Sequence, residues 1–89
     1  MAFQDNTQKN RFELDVDGSV AFANYEVKGD TLYIQYVEAP TELRGTGAAS
    51  QLMRHVMEKA REDQHKVIPI CGYAATWITR HPEYDDIKG

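Results

Sequence analysis

The sequence predicts an α+β fold, a mixed sheet covered by helices. Three successive segments before residue 40 alternate apolar and polar side chains, the period-two signature of half-buried strands. The period then lengthens to that of a helix. A β-branched run and a second helical stretch complete the order β-β-β-α-β-α. Strands first and helices after is the α+β pattern.

The first strand covers residues 11–16, where Phe12, Leu14 and Val16 alternate with Arg11, Glu13 and Asp15. Asp17-Gly18 follows, a strong hairpin signal between alternating segments. The second strand, residues 19–28, carries Val20, Phe22, Tyr25 and Val27 and ends at the turn Gly29-Asp30. In the third, residues 31–39, the alternation puts Leu32, Ile34 and Tyr36 on one face and Tyr33 and Val37 on the other. Pro40 ends it, having no N–H for the ladder. Over residues 47–64 Ala49, Leu52, Met53, Val56, Met57 and Ala60 form a helical stripe opposite Gln51, Arg54, Glu58, Lys59, Arg61 and Glu62. Residues 67–70 read as a buried fourth strand that Pro69 confines to an edge or interrupts. A full helix separates it from the third strand, which allows parallel pairing through a right-handed crossover. Residues 71–80 form the second helix, with Tyr73, Ala74, Trp77 and Ile78 as its apolar side, and His81-Pro82 stops it. The first ten residues read as a flexible tail ahead of one domain over 11–89. The acidic run 83–89 reads as a solvated end.

Eighty-nine residues make one small domain. Composition is that of a globular chain, with 42% hydrophobic and 27% charged residues. Ten basic against fourteen acidic residues give a net charge of −4, which speaks against a nucleic-acid or anionic-membrane partner. A single cysteine, Cys71, is a free thiol and suits a reducing compartment. The polar N-terminal segment has no apolar signal core, and no apolar run approaches the roughly 20 residues that span a bilayer. A cytoplasmic location is the expectation. His55 and His65 read as surface residues, and no pair of residues has metal-ligand spacing, so no metal is expected.

The informative segment is Glu42-Leu43-Arg44-Gly45-Thr46-Gly47-Ala48-Ala49-Ser50, between a strand end and a helix start. Glycines there let the backbone approach a ligand and adopt positive φ. The unsatisfied N–H groups of the first helical turn, with the helix dipole, favour an anion. Arg44 adds a forked cation suited to phosphate oxygens. The P-loop pattern is absent, since no Lys-Ser or Lys-Thr follows the glycines. The dinucleotide fingerprint fits only with Ser50 in place of its third glycine, and it needs a doubly wound sheet that the meander does not provide.

Arg44-x-x-Gly47-x-Ala49 instead resembles the R/Q-x-x-G-x-G/A signature of the GNAT acetyltransferases. The β-β-β-α-β-α order, with that turn opening the first long helix, is similar to the core of their fold. More closely, the chain looks like the small single-domain members of that superfamily, in which a cysteine follows the fourth strand (Ile68-Pro69-Ile70-Cys71-x-Tyr73) and an H/N-P pair lies near the end (His81-Pro82-Glu83-Tyr84). The likeness covers about residues 11–87.

The resemblance implies acetyl-coenzyme A as cofactor, with transfer of its acetyl group to an amine or thiol on a small molecule or protein. It implies that the backbone N–H groups of Arg44, Gly45, Thr46, Gly47, Ala48, Ala49 and Ser50 hold the pyrophosphate. Tyr36, Val37 and Glu38 would run beside the pantetheine arm. The N–H near Ile70 would meet the thioester carbonyl, an oxyanion-type contact worth on the order of 3 kcal/mol where well placed. Cys71 is then the candidate nucleophile for a ping-pong route, or a proton donor to the leaving thiolate, or channel lining. Glu38 is a candidate base, Tyr73 a candidate assistant, and His81 the histidine expected nearest the site. Only eighteen residues follow Cys71, so the acceptor pocket is shallow, shared with a second subunit, or absent, and monomer and homodimer both stay open. Two other readings accompany this one: a non-catalytic coenzyme A-binding module, and an interaction domain whose glycine turn is purely structural.

Overall fold

A computed structural model describes residues 1–89. Its elements are β1 (Ala2–Asn6), β2 (Arg11–Val16), β3 (Ser19–Lys28), β4 (Thr31–Glu38), α1 (Ala48–Glu62), β5 (Lys66–Pro69) and α2 (Gly72–Thr79), with 3-10 turns at Thr41–Leu43 and Pro82–Ile87. The five strands form one sheet in sequence order. The first three pairings are antiparallel, and β4 pairs in parallel with β5 across the α1 crossover. The meander, the crossover and both helices stand where the sequence puts them, within one or two residues. No helix is long and apolar enough to cross a membrane.

Local chemistry accounts for these elements. Asp17 and Gly18 both adopt positive φ, 53° and 89°, the two-residue turn whose twist matches a hairpin. Phe12 and Leu14 of β2, Ala21 and Ala23 of β3, and Leu32 and Ile34 of β4 are buried in one core with Leu52, Met53, Val56 and Met57 of α1. The two alanines of β3 leave room for the helix to lie close on the sheet. Ala74, Trp77 and Ile78 of α2 complete the same core.

Both chain ends depart from the expectation. Residues 2–6 are no flexible tail but the edge strand β1, in register from Ala2↔Asp15 to Asn6↔Arg11. Phe3 packs on Phe12, with ring centroids 5.8 Å apart, and on His55 of α1 at 4.9 Å. The Tyr25 hydroxyl donates to Asp5 Oδ1 at 2.6 Å, tying β1 to β3 across β2. Only one residue of β1 reaches the core; polar contacts hold the rest, and these leave no hydrophobic period to read. The acidic C-terminal run is no solvated end either. Tyr84 and Ile87 are buried, and the Tyr84 hydroxyl donates to Glu58 Oε2 at 2.6 Å. The Gly89 N–H donates to the Val67 carbonyl at 2.8 Å, so the terminus covers the outer side of β5.

Glu13 faces away from the core and is nearly buried by its own partners. It accepts from Arg11 Nε at 2.6 Å, Gln4 Nε2 at 2.7 Å and Asn6 Nδ2 at 3.3 Å. Its carboxyl is held below the usual range, first by Arg11 and then by Gln4. A depressed carboxylate adds stability that is complete above its unfolded pKa and is lost as pH falls through the folded value. Glu13→Gln should therefore be less stable than the unaltered protein by about 1–2 kcal/mol at neutral pH. The gap should shrink as both are melted at successively lower pH below the carboxylate range. A gap that does not change with pH would show that the charge of Glu13 is irrelevant.

Candidate active site

The site begins with a bulge. β3 and β4 pair Tyr25 with Ile34 and then Asn24 with Tyr36, so Gln35 is an extra residue in β4. A bulge shifts the alternation by one. Tyr36, expected on the same face as Leu32 and Ile34, is accordingly 47% exposed while those two are buried, and Val37 packs against the core.

On its other side β4 loses its neighbour at the same level. The parallel register with β5 ends at Ile34↔Pro69. Both Ile70 and Cys71 donate their N–H groups to the Ile34 carbonyl, at 2.9 and 3.1 Å. The chain then turns into α2, and the edge of β4 from Gln35 to Glu38 has no strand beside it. The Ile70 N–H, expected to meet a thioester carbonyl, is thus committed inside the sheet, and the Ile70 side chain is 62% exposed.

Beyond β4 the glycine turn reaches the N-terminus of α1. Gly45 and Gly47 both have φ of +82°, a conformation L-residues rarely adopt. A Cβ on either would meet no atom within 4 Å, so the space above them is open. Of the seven N–H groups expected to hold a phosphate, three serve the turn itself. Arg44 donates to the Thr41 carbonyl, Thr46 to the Leu43 carbonyl, and Ala48 to Thr46 Oγ1. The N–H groups of Gly45, Gly47, Ala49 and Ser50 have no protein acceptor. Unpaired donors at a helix start are an anion site in waiting. Arg44 makes no ion pair with any carboxylate.

These pieces border one continuous depression. A cleft of about 270 Å³ runs along Ala39, Leu43, Arg44, Gly45, Gly47, Ala48, Ala49, Ser50 and Tyr73. A second of about 270 Å³, lined by Val37, Glu38, Ala39, Arg44, Ala49 and Tyr73, shares four of those residues. The structure thus brings together Val37, Glu38, Arg44, Gly45, Gly47, Ala48, Ala49 and Ser50, and leaves Thr46 outside both clefts. Ala39, Leu43 and Tyr73 join them. Tyr73 was legible as a neighbour of Cys71; Ala39 and Leu43 carried no signal, because small and aliphatic residues line clefts and fill cores alike.

Glu38 lines the other end; Tyr36, bonded to it, lines neither cleft. The Tyr36 hydroxyl donates to Glu38 Oε1 at 2.9 Å. That hydrogen bond, then the Glu38 charge, raises the phenol above its usual range, while Arg44 acts weakly in the opposite sense. Tyr73 is 43% exposed, and partial desolvation raises its phenol too. Both phenols stay protonated and able to donate at neutral pH. Cys71 is half-buried, caps the start of α2 and packs on the core's margin, beside the point where β4 and β5 part. It lines neither cleft. His81 is held elsewhere: Nδ1 lies 2.6 Å from the Trp77 carbonyl and the ring stacks on the indole at 3.6 Å.

Comparison with known proteins bears on the family and the fold. Residues 11–87 match the family model described as GCN5-related N-acetyl-transferase. The solution structure of a GCN5-like protein from Staphylococcus aureus superposes with a TM-score of 0.77 at 25% identity, covering 99% of this chain and 87% of that one. No curated protein matches the chain in sequence.

Proposed function

The chain belongs to the GCN5-related N-acetyltransferase family, acetyltransferases that draw on acetyl-coenzyme A, and we propose that it binds this donor along the depression from Ser50 to Glu38. The observation that carries the reading is the set of four unpaired N–H groups, at Gly45, Gly47, Ala49 and Ser50, beside the unpaired Arg44. They suit a pyrophosphate: charge-assisted bonds from fixed amides and a guanidinium are the strong ones. The unpaired edge of β4 at Tyr36, Val37 and Glu38 offers backbone groups to the amides of a pantetheine arm. Acetyl-coenzyme A supplies an activated acyl group as its thioester.

The residues of the chain then divide the work. Cys71, where β4 and β5 diverge, is the nucleophile: its sulfur bonds the acyl carbon, the thioester C–S bond breaks, and the proton of its thiol ends on coenzyme A. An acceptor amine then attacks acyl-Cys71, and the bond from the acyl carbon to the Cys71 sulfur breaks. The proton lost by the amine passes to Glu38, directly or through water, and from it to the released Cys71 thiolate. Tyr36 holds Glu38 in place through the 2.9 Å bond. Tyr73 donates a hydrogen bond, and keeps its proton, as the coenzyme A thiolate departs. Reading the same cleft as a purely cofactor-sensing module gives the same binding and no turnover.

The test is a thermal-shift titration with acetyl-coenzyme A, with ATP and NAD as controls, followed by release of free coenzyme A with candidate amines. Ligand at about 100 times its dissociation constant adds roughly 2.7 kcal/mol, which raises the melting point of so small a domain by on the order of 10 °C. A shift with acetyl-coenzyme A alone, and continuing release of coenzyme A, are the expected results. No shift at saturation would remove the proposal. Binding without release would leave a sensing module.

A further inference from the structure

The floor of the glycine turn is wired to α2 by one side chain. Trp77 Nε1 donates to Ser50 Oγ at 2.8 Å, across 27 positions of sequence. Ser50 lies in the first turn of α1 and lines the cleft, next to its own unpaired N–H. Its hydroxyl has one proton to give and two lone pairs. The indole occupies a lone pair, and no protein atom receives the proton. The indole cannot reorient to release the bond. It is 5% exposed, stacked against His81 at 3.6 Å, with the Arg54 guanidinium over it at 5.7 Å.

We infer that Trp77 is a positioning residue for the phosphate end of the ligand: its N–H fixes Ser50 so that the hydroxyl proton points into the cleft as a fifth donor. This rests on the proposed cradle and assigns a role to a residue of α2 that touches no ligand. A hydroxyl that donates to an anion also becomes a better acceptor. Occupancy of the cradle therefore strengthens the bond to Trp77 and is felt in α2, the helix that Cys71 caps and whose first turn carries Tyr73.

Trp77 is the single tryptophan, so its indole N–H gives one isolated proton–nitrogen resonance. Titration of the unaltered protein with coenzyme A should move that resonance downfield. Pantetheine, which lacks the phosphates, should move backbone amides of β4 and leave the indole in place. An indole unmoved by coenzyme A that does bind overturns the inference and leaves the cradle standing. Absence of binding by coenzyme A overturns the cradle and this inference with it.

Affinity provides the second arm, measured by calorimetry on Ser50→Ala, Trp77→Phe and the double variant. Trp77→Phe keeps an aromatic ring against His81 and removes the donor together with one ring of the indole. Each single variant should weaken coenzyme A binding roughly tenfold, and the double variant should be no weaker than either. Pantetheine affinity should be the same in all four proteins. Additive losses, or an unchanged Trp77→Phe, would show that the indole merely packs. The resonance of the unaltered protein decides the question even if a variant fails to fold.

Discussion

Gly47→Val should lose affinity for coenzyme A by about 100-fold. The residue has φ of +82° and open space where a side chain would go. Its N–H is one of four without a protein acceptor. Two valine methyls would occupy the space above the turn, and relief of the strain would rotate the peptide away from its donor geometry. Two charge-assisted hydrogen bonds lost, at about 1.5 kcal/mol or more each, give that factor. Strain alone destabilises the fold by about 1–2 kcal/mol, since a β-branched residue resists the left-handed region. Gly29→Val is the control. Gly29 also has positive φ, +63°, but turns the hairpin at the opposite end of β4. Both variants should melt lower, and only Gly47→Val should lose the ligand. Equal affinities in the two would remove the pyrophosphate from this turn.

Cys71→Ala should abolish any acetyl–protein adduct seen by intact mass after incubation with acetyl-coenzyme A. The thiol is the chain's only one, so the adduct has no second thiol to move to. Cofactor affinity should change little, because Cys71 lines neither cleft and its N–H bond to the Ile34 carbonyl needs no side chain. Removing one sulfur from the margin of the core costs on the order of 1 kcal/mol, so the variant should remain folded. Retention of full turnover at saturating amine would show that the thiol is not the nucleophile, and that Glu38 and an acceptor amine act on the thioester directly.

The strength of the sequence signal varied with the kind of interaction that holds each segment. β2 and the first half of β4 were legible because Phe12, Leu14, Leu32 and Ile34 repeat at the period of a strand. β3 was legible through its flanking turns, its buried face being Ala21, Ala23 and Tyr25 and not Val20, Phe22 and Val27. α1 was legible through Leu52, Met53, Val56 and Met57. β1 was missed because Phe3 alone reaches the core while Gln4, Asp5 and Asn6 pair with Glu13 and Tyr25. The C-terminal turn was missed because Tyr84 and Ile87 are two buried residues in an otherwise charged run.

The order of elements after residue 10, the change of period at Pro40 and the glycine turn with Arg44 followed from the chain alone, since each rests on contacts between neighbours in sequence. So did the family, whose signature lies within six consecutive residues. Which N–H groups are free did not follow, because Thr46 Oγ1 and the Thr41 and Leu43 carbonyls compete for them only once the turn is closed. The bulge that turns Tyr36 out, the capture of the Ile70 N–H by Ile34, and the bond from Trp77 to Ser50 were likewise decided in three dimensions. A hydrogen bond between residues 27 apart leaves no period in a sequence; it exists only where packing of the apolar faces has already brought its two ends together.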